Sequence, residues 1–173
     1  MAFDEHSFLP PAPAIDSPDR RRLPPLLRRA WYSLNQAFRR RIAHTKVTPD
    51  QFTALRTLLE GDPRGLTQRE LTTVMSSDPN TIASLLERMA AAGLLERRPH
   101  EKDRRAHRIV LLPLGRRKYR TIRQIAIKLQ TEILSAFPEQ GREQFLVNLG
   151  LLADSCRAAA DASPSGAGSA SQD

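Results

Sequence analysis

Leu27, Trp31, Leu34, Phe38 and Ile42 follow one another at steps of three or four, the repeat of one helical face. They predict a long helix from the Pro24-Pro25 pair to about Thr45. Thr48-Pro49-Asp50-Gln51 has the form of a capping box with proline in the first turn, and it opens a second helix to Glu60 that Gly61 ends. Thr67-Gln68-Arg69-Glu70 repeats the device ahead of Leu71, Val74 and Met75. Ser76-Ser77-Asp78 then breaks the helix, because short polar side chains compete for the backbone. Asp78 caps, and Pro79 starts, a further helix over 79–92, with Ile82, Leu85, Leu86 and Met89 on its inner side. Gly93 supplies its left-handed stop.

Beyond Gly93 the pattern shortens. Residues 94–99 and 107–112 read as two strands, the second with β-branched residues at its centre, joined by a charged hairpin over 100–106. Helical spacing then returns. Tyr119, Ile122, Ile125, Ala126, Leu129 and Ile133 mark the inside of a helix over 115–137, which Pro138 breaks. Phe145, Leu149, Leu152 and Cys156, with Leu146 alongside, mark the buried face of a last helix over about 139–160.

These elements predict a mainly α fold with a small β-hairpin wing (α+β), a winged helix-turn-helix flanked by N- and C-terminal dimerisation helices. The expected organisation is a disordered acidic, Pro-rich tail (1–19), an N-terminal dimerisation helix (20–47), a winged DNA-binding lobe (48–113), C-terminal dimerisation helices (114–160) and a second disordered tail (161–173). The first helix and the last two carry more apolar surface than a small winged unit can cover. Pairing with a second copy would bury it and present two reading helices to a palindromic site, with half-sites roughly 34 Å apart. An intramolecular bundle in a monomer is the alternative.

The outer side of helix 79–92 carries Asn80, Thr81, Ser84, Glu87 and Arg88, small and polar groups that can read base edges in a major groove. Along the wing, over 96–112, stand Arg97, Arg98, Lys102, Asp103, Arg104 and Arg105. An arginine at a hairpin tip can enter a minor groove, with Asp103 as a brace for an extended guanidinium. An ordinary amphipathic helix and a solvated charged loop would carry the same residues without touching DNA.

At this point the chain resembles the MarR family of bacterial transcription regulators, over roughly 23–156. The resemblance rests on Val47-Thr48-Pro49-Asp50-Gln51-Phe52-Thr53-Ala54-Leu55, Gly65-Leu66-Thr67-Gln68-Arg69-Glu70-Leu71, Thr81-Ile82-Ala83-Ser84-Leu85-Leu86-Glu87-Arg88-Met89, Gly93-Leu94-Leu95-Glu96-Arg97 and Asp103-Arg104-Arg105-Ala106, in one order and at matching spacing. It implies a dimeric winged helix-turn-helix, a recognition helix over 79–92, and Arg104 or Arg105 in the minor groove. It further implies a ligand-responsive repressor, released from a palindromic operator when a small aromatic or phenolic anion enters a cleft. Trp31 and Tyr32 are the candidate lining; alternatively, Trp31 is plain core. The chain departs from the family at Ser84, often arginine in relatives, and at Leu112, where a threonine cap usually precedes proline. That lost cap costs about 1 kcal/mol.

Charge agrees with a polyanionic partner. The chain has 27 Lys and Arg against 19 Asp and Glu, and 13 basic residues against 3 acidic fall within 88–128. Nine basic residues and no acid lie between Arg20 and Lys46, either extra phosphate contacts or a solvated face.

Other classes find little support. No apolar run approaches the ~18 residues of a membrane span. The start lacks the basic and apolar blocks of a signal peptide. Together these point to the cytoplasm, and the family resemblance implies a bacterial protein at the nucleoid. A lone Cys156 excludes an internal disulfide and reads as a small buried hydrophobe. His6, His44, His100 and His107 have no paired-ligand spacing, so no metal is expected. Neither nucleophile elbow nor phosphate loop appears, so no catalysis and no cofactor is expected. The remaining alternative is a winged-helix module that coats DNA or binds protein without sequence preference.

Overall fold

The computed structural model describes residue 17 and residues 21–103 and 105–162. Of the two expected tails only Ser17, Asp161 and Ala162 fall within it, and Arg104 lies outside the described residues. The chain divides after Ile125 into two compact units. The first holds α1 (Leu23–Ile42), α2 (Pro49–Glu60), β1 (Leu66–Thr67), α3 (Gln68–Val74), α4 (Pro79–Ala91), β2 (Leu95–Pro99), β3 (His107–Leu111) and the start of α5 (Pro113–Leu134). The second holds the rest of α5 and α6 (Glu139–Ala162).

In the first unit, α1 ends in Arg39, Arg40 and Arg41, cations that complement the negative pole of a helix C-terminus. A single 3₁₀ turn follows, and Lys46 takes the left-handed conformation at φ 58°. The turn is pinned inside. The buried Thr45 hydroxyl donates to the Ile42 carbonyl at 2.6 Å, and Lys118 Nζ donates to the Thr45 carbonyl at 2.8 Å. Both halves of the α2 capping box form: Thr48 Oγ1 accepts from the Gln51 N–H, and Gln51 Oε1 accepts from the Thr48 N–H. Phe52 then stacks on Tyr119 of α5 at 5.6 Å and meets the edge of Phe38 at 5.2 Å.

The core of this unit includes Leu55, Leu71, Ile82, Leu86, Met89, Leu95, Ile109 and Ile122, all fully buried. Each contributes about 1.5–3 kcal/mol of apolar burial. The sheet has three strands, not two, in the antiparallel order β1-β3-β2. The two-residue β1 has no alternation to betray it. It forms because Gly65, at φ 99°, turns the chain onto β3 so closely that an added Cβ would stand 2.5 Å from the Ile109 carbonyl oxygen.

Helix α5 begins at Pro113, earlier than expected. Without a threonine side chain, Leu112 still serves the start through its backbone. Its N–H donates to the Leu94 carbonyl at 3.0 Å, and its carbonyl accepts from the Arg116 N–H at 3.1 Å. In the second unit, α5 and α6 are joined around Pro138. Phe137 stacks on Phe145 at 4.4 Å, and Arg142 Nε donates to the Phe137 carbonyl at 3.2 Å.

The expectation of a buried face on α6 is corrected. No residue of α6 is buried within one chain. Phe145, Leu149 and Cys156 are exposed and Leu152 is half-buried; on α5, Ile133 is exposed while Ile125 and Ala126 are half-buried. The periodicity marks a coherent apolar face, but two helical segments are too few to enclose it. Trp31 is likewise not core: it is 64% exposed. Helix α6 also runs on through Asp161 and Ala162, which were expected in the tail.

Candidate nucleic-acid interface

Helix α4 is set by its first residues. The Asp78 carboxylate accepts the Thr81 N–H at 2.9 Å, and Pro79 follows where no N–H is needed. Hydrogen bonding to Thr81 holds the Asp78 carboxyl below its ordinary range. The left-handed Ser76, at φ 49°, makes the turn from α3 into α4. The Gln68 amide of α3 reaches the Pro79 carbonyl at 3.4 Å. Ile82, Leu85, Leu86 and Met89 are buried, so the opposite side is committed to solvent. Asn80, Thr81, Ser84, Glu87 and Arg88 are all exposed there.

Helix α3 is held by a complete capping box. Glu70 Oε2 accepts from the Thr67 N–H at 2.6 Å and from its hydroxyl at 2.8 Å, while Thr67 Oγ1 accepts from the Glu70 N–H. These bonds to Thr67 hold the Glu70 carboxyl below its usual value.

The wing's register sorts its side chains. Arg97 pairs with Ile109, Arg98 with Arg108 and Pro99 with His107. Successive strand residues face opposite ways, so Arg97 and His107 share a face with the buried Leu95, Ile109 and Leu111. Arg98 and Arg108 share the other face with Glu96 and Val110. There Arg98 Nε donates to Glu96 at 2.7 Å. Arg108, only 8% exposed, donates to the Gly65 carbonyl at 3.1 Å and to Glu101 at 3.3 Å. Its position among thirteen cations suggested no special role; its partner 43 residues away is invisible to a local reading.

Arg97, Lys102 and Arg105 are exposed, and among the described residues none of them has a carboxylate partner. The contact that Asp103 makes with Arg105 is to backbone: its Oδ1 accepts the Arg105 N–H at 2.9 Å. The Lys102 and Asp103 N–H groups both donate to His100 Nδ1 at 3.2 Å, which tightens the tip further.

Trp31 and Tyr32 do come together. With Asn35, Gln36, Arg39 and Asp50 they line an open cleft of about 300 Å³ between α1 and the start of α2. The Gln36 amide donates to the Tyr32 hydroxyl at 2.6 Å. Among the described residues no three His, Cys, Asp or Glu are grouped to hold a metal ion, and no helix is long and apolar enough to cross a membrane.

Residues 45–106 match the family model described as MarR family. A curated relative, the HTH-type transcriptional regulator BilQ of Clostridium symbiosum, is 28% identical over 89 residues, 51% of this chain; the chain spans 62% of that relative's length. Among solved structures, the S. aureus MepR–DNA complex superposes with a TM-score of 0.73 at 21% identity, covering 79% of this chain and 99% of that one. The transcriptional repressor CouR bound to a 23-mer DNA duplex gives 0.68 at 24% identity, covering 74% and 89%. CouR from Rhodococcus jostii RHA1 bound to p-coumaroyl-CoA gives 0.66 at 23% identity, covering 74% and 89%. At these identities the structural likeness is one of fold.

Proposed function

We propose that this chain is a member of the MarR family of winged helix-turn-helix proteins, and a homodimeric transcription regulator that binds a palindromic operator in duplex DNA. Helix α4 reads the major groove through Asn80, Thr81, Ser84, Glu87 and Arg88. The wing engages the minor groove and the backbone that flanks it through Arg97, Arg98, Lys102, Arg104 and Arg105, its tip braced by Asp103. The observation that carries this reading is the division of α4: one side supplies four core residues and the other is wholly exposed, polar and able to donate and accept. The relatives matched are transcription regulators rather than enzymes, and two of the solved structures are DNA complexes.

The dimer rests on unburied apolar surface in each unit. Leu23, Leu26, Leu27 and Leu34 are exposed on α1; Ile127, Ile133, Phe145, Val147, Leu149 and Leu151 are exposed on α5 and α6. Exposed apolar side chains in such number on each unit are characteristic of an interface. A second copy of the same chain is the partner that gives a two-fold site.

The cleft at Trp31 and Tyr32 suits a small aromatic or phenolic anion. It has flat apolar walls, a guanidinium at Arg39 and the volume of a small-ligand site. Its occupation would release DNA and make the protein a ligand-responsive repressor. CouR supports this reading as a relative in fold whose structure holds an aromatic acyl thioester.

Selection of bound duplexes from a random-sequence pool tests the proposal. A palindromic consensus held several orders of magnitude more tightly than random duplex is expected at physiological salt. Equal binding to all duplexes would leave the architectural alternative.

A further inference from the structure

The arginines around the wing differ in whether they are neutralised, and the difference follows position. Arg64, Arg98 and Arg108 each have a carboxylate, from Asp62, Glu96 and Glu101. Arg69, Arg97 and Arg105 have none among the described residues. The unpaired three come from α3, β2 and the wing tip, and they converge with Gln68, His107 and Ile109 on one cleft of about 220 Å³. We propose that Arg69, Arg97, Arg105 and His107 form a seat for a single phosphodiester of the duplex backbone, separate from the base-reading side of α4. This rests on the duplex-binding reading above.

The chemistry favours an anion over a base edge. A guanidinium donates hydrogen bonds and accepts none; one fork can meet the two acceptors of a base edge, but three around one concavity carry more donors than a single base pair has acceptors. Two or three forks around one concavity do match the oxygens of a phosphate. Positive charge left unscreened in a cleft concentrates the local potential, whereas pairing with acids on the far face removes competing sites. Strand register supplies the rest. Arg97 and His107 lie on the face that continues the core around Ile109, which turns both toward the Thr67–Arg69 segment rather than away from it. Arg69 and His107 thereby join a function that neither helix pattern nor hairpin composition assigned to them.

A phosphate seat has a signature that base reading lacks. Arg69→Ala and His107→Ala should weaken the selected duplex and a random duplex by the same factor. For Arg69→Ala that factor is roughly tenfold, with the slope of log affinity against log salt shallower by about one unit. Arg69→Lys should restore most of that slope, and thermal melting should show that each variant folds. Loss confined to the selected duplex, or an unchanged salt slope for both variants, would overturn the seat while leaving regulation intact. If the wild-type protein binds both duplexes equally and both fall together in Arg69→Ala, the seat stands and the sequence-specific reading fails. A wild-type protein that binds no duplex would overturn both.

Discussion

Arg108 and Gly65, 43 residues apart in sequence, are joined by a 3.1 Å hydrogen bond from the guanidinium to the glycine carbonyl. The same guanidinium holds Glu101 of the wing loop. One buried side chain thus ties β1, the segment leading into α3, to the hairpin expected to meet DNA.

Arg108→Met should remove both contacts and leave the Gly65 carbonyl without its charged donor. A loss of about 2 kcal/mol in urea unfolding is expected, since hydrogen bonds to charged groups are worth roughly that much. Gly65→Ala meets a different obstacle, the positive φ and the Ile109 carbonyl in the path of its Cβ. It should cost at least about 2 kcal/mol. An unchanged unfolding midpoint for either variant would contradict this account of how the wing is held.

Thr67→Ala removes half of the α3 capping box and should destabilise the fold by about 1 kcal/mol. Thr67→Ser keeps the oxygen that accepts the Glu70 N–H and should recover most of that loss. The comparison separates the cap from the β1 pairing, because Thr67 backbone contacts survive in both.

Acid should loosen the winged unit in a defined window. Hydrogen bonds from Arg64 hold the Asp62 carboxyl down to about 2 from 3.8; bonds from Thr67 and Thr81 depress Glu70 and Asp78, and Glu101 is depressed by its own backbone N–H and then by Arg108. Each depressed carboxyl stabilises the fold fully above its unfolded value, and the contribution fades as pH falls through the folded one. Unfolding midpoints should therefore be flat above pH ~5 and fall below pH ~4. Asp62→Asn should make the fall shallower; an equally steep fall in that variant would remove Asp62 from the explanation.

On the reading side of α4, Asn80→Ala and Arg88→Ala should alter which bases are selected, each by roughly 1–3 kcal/mol of discrimination at one position. On the wing, Arg97→Ala should weaken binding more than Arg98→Ala, because Arg98 is already neutralised by Glu96. Selection from randomised duplexes reads the first effect and titration against salt the second. Unaltered base preference in both helix variants would move the reading face elsewhere.

Leu151, 62% exposed on α6, should lie in the interface between copies. Leu151→Glu should shift the sedimenting species from dimer toward monomer at micromolar concentration, with the helical signal retained. A monomeric wild-type protein would instead leave the exposed apolar face for another partner.

The helices were legible in the sequence because their signals span four residues or fewer. Thr48 with Gln51, Thr67 with Glu70, Asp78 with Pro79 and the left-handed Gly93 all behave as their spacing implies. The inner and outer sides of α4 could be divided for the same reason. The strand β1 could not, since two residues carry no period. Nor could the burial of Arg108, whose partners lie in distant turns, or the open state of the α6 apolar face, which depends on how many helices surround it.

Taken alone, the sequence determined where the helices and the hairpin lie, which side of α4 is polar, and that the middle of the chain is strongly basic. Tertiary structure decided which cations remain free. Strand register sends Arg98 and Arg108 to carboxylates on one face and leaves Arg97 and His107 on the other, beside Arg69. The reason is range: helix caps and periodicity act between near neighbours, whereas the neutralisation of a charge depends on whatever the fold brings within about 4 Å of it.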